Sequence, residues 1–111
     1  MSDAIEVTIP HDQVQLNGVI RFDGAVVEIF GFNDVHSVRM HIHQIESASV
    51  SFDKGLLAQP HIMFKGKWSN LGYNQAIDPP DQIKPELENF VNAINAAIGN
   101  DAANYPNGET Q

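Results

Sequence analysis

A chain of 111 residues with 42% hydrophobic side chains has room for one domain with a real core and is too apolar for wholesale disorder. Fourteen acidic residues against six basic ones give a formal charge of −8, a field that repels phosphate backbones and disfavours nucleic-acid binding. The absence of cysteine excludes a disulfide framework and a thiolate metal site.

No apolar run approaches the roughly 20 residues needed to cross a bilayer, and MSDAIEVTIPHD lacks a signal-peptide pattern. A cytoplasmic protein without membrane insertion is therefore expected. Along the chain, AIEVTI (4–9) alternates weakly and stops at Pro10, and residues 10–17 read as a loop. GVIRF and AVVEIF, joined by Asp23-Gly24, carry the clearest local signal, a hairpin closed by a type I′ turn. That turn sets Phe22 opposite Ala25 and Ile20 opposite Val27 on an apolar face. Arg21 and Val26 share the mixed face.

GFND (31–34) is a further turn cluster. From Ser37 to His43, Val38, Met40 and Ile42 alternate with Ser37, Arg39, His41 and His43. The phase slips at Gln44-Ile45, which predicts a bend or bulge. Ala48, Val50 and Phe52 then alternate with Ser47, Ser49 and Ser51. After a turn at 53–55, an extended HIMFKGKW (61–68) places Ile62, Phe64 and Trp68 on one face, and 70–77 reads as a last strand through Leu71 and Tyr73.

The period then changes. Leu87, Phe90, Val91, Ile94 and Ile98 recur at helical spacing across 85–98. Pro85 suits the first turn, Glu86 and Glu88 suit the positive end of the dipole, and Gly99 is the expected stop. The predicted fold is α+β and mostly β. A strongly bent antiparallel sheet or β-barrel of about six or seven strands is capped by one C-terminal amphipathic helix. A split αβ-sandwich uses the same elements. One domain is expected over 1–99, with a flexible tail over 100–111.

These segments resemble the bacterial pleckstrin-homology-like (PH-like) domains. The resemblance rests on Gly18–Gly24 within GVIRFDGAVVEIFG, on Met40, Ile42, Gln44 and Ile45 within MHIHQIESASVSF, on HIMFKG, and on Phe90 in the closing helix. It covers roughly residues 14–98 and is nearest to a bacterial group of unknown function often joined to a short C-terminal oligomerisation module. With twelve residues after Gly99, that module is not expected here, and the helix lacks the tryptophan of many eukaryotic PH domains. The resemblance implies a seven-stranded bent barrel with a helical cap. In function it implies a non-catalytic binding or scaffolding module, with no cofactor, acting through a protein partner or self-association.

Chemistry-bearing residues are few. His41 and His43 stand two apart on a predicted strand, with Cα atoms about 6.5–7 Å apart on one face. They are the candidate metal pair of an alternative reading, a small metal-binding protein or metal-dependent enzyme. A third ligand is needed, from His36, His61, His11 or Asp34. The plainer reading is an outward row, Arg39-His41-His43. Phosphoinositide binding is disfavoured because an acidic two-residue turn cannot cradle a phosphorylated headgroup, and Lys54, Lys65 and Lys67 read as a solvated edge. No nucleophile elbow, Walker loop or dinucleotide motif occurs, so no catalytic residue is assigned. Val26, Phe30, Phe32, Met63 and Trp68 do not all fit one core face and are the interface candidates.

Overall fold

The computed structural model describes residues 4–10, 18–32, 37–56, 59–68 and 72–104. Four strands, β1 (Ile5–Ile9), β2 (Gly18–Phe22), β3 (Val26–Phe30) and β4 (Ser37–His41), form one antiparallel sheet in chain order. A second antiparallel sheet holds β5 (Ile45–Ser51), β6 (His61–Gly66) and β7 (Gly72–Ala76). Helix α1 (Lys84–Asn104) follows. The mostly-β α+β class with one C-terminal helix is therefore observed. The barrel is not, since no strand pairing among the described residues joins the sheets into a closed wall.

The period-2 apolar sets do what their spacing dictates. Val7, Ile9, Ile20, Phe22, Val27 and Ile29 are buried beneath the first sheet, and Ala48, Ile62 and Phe64 beneath the second. Leu87, Phe90, Val91 and Ile94 of α1 complete one shared core. Full burial of each such aliphatic or aromatic side chain stabilises the fold by about 1.5–3 kcal/mol. Gln75 is the buried polar residue among those described. Its amide is satisfied by the Tyr73 hydroxyl, which donates to Oε1, and by the Ala76 carbonyl, which accepts from Nε2.

Four local expectations are corrected. The first hairpin pairs Phe22 with Val27 and Ile20 with Ile29, two positions further along β3 than a reversal centred on Asp23-Gly24 would give. A shift of two keeps every side chain on its face. Its cause is the Asp23 carboxylate, which accepts the N–H groups of Ala25 (2.9 Å) and Val26 (2.8 Å), while Gly24 carries φ of 102°. Second, the strand ending in MHIH stops at His41, and residues Ile42–Gln44 turn as a 3-10 helix. The bend or bulge expected around Gln44-Ile45 is present, as that turn and a register shift between Ile45 and Ser47. Third, β6 ends at Gly66, so Trp68 lies beyond the strand and is exposed rather than aligned with Ile62 and Phe64. Fourth, Gly99 does not end α1, which runs on to Asn104. The Leu71 end of the last predicted strand, and residues 105–111, lie outside the described residues.

Candidate functional site

Helix α1 lies antiparallel along β5 and is fastened to it at successive points. At its start, the Lys84 ammonium sits 5.3 Å from the ring centroid of Phe52. Midway, the Asn95 amide grips the main chain of Ala48 twice. Its Oδ1 accepts from Ala48 N–H at 2.9 Å and its Nδ2 donates to Ala48 C=O at 2.8 Å. At the far end Asp101 Oδ2 lies 2.7 Å from His43 Nδ1.

The Asn95 contact fixes which backbone groups of β5 point outward. β5 is an edge strand paired only with β6 among the described strands, with Ala48 opposite Phe64 and Val50 opposite Ile62. In an antiparallel ladder, successive residues turn their polar groups alternately toward and away from the partner strand. Ala48 turns them away, to Asn95, so Val50 does the same. Among the described residues nothing bonds to Val50 on that side.

Between this edge and α1 lies a groove of about 600 Å³, walled by Ser49 and Val50 on one side and by Pro85, Glu88, Asn89 and Asn92 on the other. Asn89, Asn92 and Asn95 recur every third residue and present amides along one helical face. Asparagine is among the poorer helix formers, at up to about 0.7 kcal/mol below alanine per position. The stripe is therefore not explained by helix stability.

His41 and His43 are brought together, but by local geometry rather than by strand spacing. Their rings stack with centroids 4.3 Å apart and planes 13° from parallel. His41 is the N-cap of the 3-10 turn. Its Nδ1 accepts from His43 N–H at 3.1 Å, and Gln44 Oε1 accepts from His41 N–H at 3.3 Å, a reciprocal capping pair. His61 Nδ1 faces the Gln59 carbonyl at 3.0 Å. Among the described residues, no three His, Asp or Glu side chains converge as a metal-binding group. His11, Asp34 and His36 lie outside them.

Five of the six lysines and arginines are committed to acids. Across the outer face of the first sheet, paired positions run Glu6, Arg21, Glu28, Arg39, with contacts of 3.8, 3.4 and 3.2 Å. Lys54 meets Asp78 at 3.3 Å, Lys65 meets Glu46 at 3.6 Å and Lys84 meets Asp81 at 2.8 Å. The Lys84 contact holds the Asp81 carboxyl below its ordinary range.

The interface candidates do not share one environment. Phe32 is buried, packed where a side chain at Gly18 would have to lie, and belongs to the core. Val26 is partly buried at the end of β3, opposite His41. Phe30 and Met63 are each 39% exposed, on different sheets, and Trp68 is 58% exposed.

A second depression of about 570 Å³ contains Ser51, Asp53 and His61, the residue types of a hydrolytic triad. Here Ser51 Oγ accepts from the Asp53 main chain, and His61 Nδ1 faces a carbonyl instead of a carboxylate. These bonds do not build a relay from acid to base to nucleophile. No described helix is long and apolar enough to cross a membrane. Comparison with protein families, with characterised proteins and with solved structures gives no match to this chain.

Proposed function

We propose that this chain is a non-catalytic protein-binding module of PH-like type that receives an extended polypeptide segment in the groove between β5 and α1. The observation that carries the reading is the outward main chain of Val50, a donor and an acceptor standing open at the floor of a groove walled by helix amides. An added strand satisfies both groups, and main-chain pairing of this kind supplies affinity while alternate side chains supply specificity. Seven antiparallel strands followed by one C-terminal helix support the PH-like assignment. The commitment of most cations to carboxylates supports a protein partner over an anionic lipid.

Selection of a random displayed peptide library on the purified protein tests this. Backbone amide shifts caused by the recovered peptides are then mapped by NMR. Shifts centred on Ser49, Val50 and Asn92 are expected. Failure to recover any peptide, or shifts centred on another surface, overturns the reading.

A further inference from the structure

The groove has a definite length and a definite charge. Its open edge lies between two fastenings, Lys84 over Phe52 and Asn95 on Ala48. From Ala48 to Phe52, one residue past the end of β5, an extended chain advances about 13 Å, at roughly 3.3 Å per residue, which admits three or four residues of an added strand. Asn95 already occupies the hydrogen-bonding position at Ala48 that a longer strand would need.

Glu88 is the charged residue in the groove wall, and among the described residues it has no ion-pair partner. The chain has few cations to offer it. Arg21, Arg39, Lys54, Lys65 and Lys84 each face another carboxylate. A second copy of the chain would bring its own charge of −8 to an already acidic wall.

We infer that the occupant is a short extended segment bearing one lysine or arginine, with its main chain on Val50 and its cation at Glu88. Asn95 sets where pairing stops. This rests on the strand-addition reading above and adds the partner's chemistry and register to it.

The test takes peptides recovered by display whose shifts map to Val50, and compares each with a version carrying glutamate in place of its basic residue. On the wild-type protein the swap is expected to weaken binding on the order of tenfold, with the difference shrinking in high salt. Glu88→Lys, an exposed helix substitution, is expected to invert the preference. In Asn95→Ala the peptide is expected to shift the Ala48 amide as well, because the edge position there is vacated. Peptides that bind at Val50 without any preference for a basic residue, or a preference unmoved by Glu88→Lys, overturn this inference and leave strand addition standing. Peptides that map elsewhere remove both.

Discussion

Asp101 on the last turns of α1 reaches back across 58 residues of sequence to His43, with Oδ2 at 2.7 Å from the imidazole Nδ1. The contact joins the end of the helix to the 3-10 turn that follows β4. The Asp101 side chain is only 12% exposed while that of His43 is half exposed, so the pair sits at a boundary where solvent screens only one partner well. Replacing His43 by alanine is expected to lower stability by at most about 1 kcal/mol, as partly exposed pairs do. The loss should be local. Amide exchange is expected to accelerate over 97–101 and to stay unchanged at Leu87, Phe90 and Ile94, whose burial holds the helix independently.

Gly18 and Phe32 form a second close relationship. A Cβ built on Gly18 would come within 2.1 Å of a ring carbon of Phe32, which is buried. Gly18→Ala is expected to destabilise the protein by about 1–3 kcal/mol through overpacking, measured by urea unfolding. Adding Phe32→Leu should recover part of that loss, because the smaller side chain leaves room for the methyl group. A double variant no more stable than the single one would show that the glycine serves some other need.

The first hairpin carries a pH signature. N–H groups of Val26 and Ala25 bond to the Asp23 carboxylate and hold its titration below the ordinary carboxylate range. A group lowered in the folded state adds stability above its unfolded value, near pH 4, and that stability is lost as pH falls through the folded value. The thermal midpoint of wild type is therefore expected to exceed that of Asp23→Asn at pH 6, with the gap closing as the pH falls below about 4. A gap that widened with acid would contradict the assignment.

The alternating row Glu6-Arg21-Glu28-Arg39 is expected to give little at physiological salt. Glu28 bridges both arginines, so Glu28→Gln removes the centre of the network. A loss of about 0.5–1 kcal/mol at low ionic strength is predicted, falling toward zero in 1 M salt. Denaturant melts at the two ionic strengths measure it.

Periodicity alone determined the faces of this protein. Alternation in GVIRF, VVEIF and SASVS, and helical spacing from Leu87 to Ile94, mark the residues that enter the core, because burial of apolar area acts on every turn and pleat in the same way. Even the displaced hairpin register left those faces intact. Tertiary structure decided the rest. Phe32 was legible as apolar but not as the filler beside Gly18, and the His41–His43 pair was legible as a motif but not as a stacked cap. The groove was legible only as a general possibility of sheet edge and helix. Its location rests on Asn95 meeting Ala48 across 47 residues, and its charge rests on Glu88 standing in a wall whose other lining residues are uncharged. Single polar residues carry no period, and their partners are chosen only when two distant segments are laid side by side.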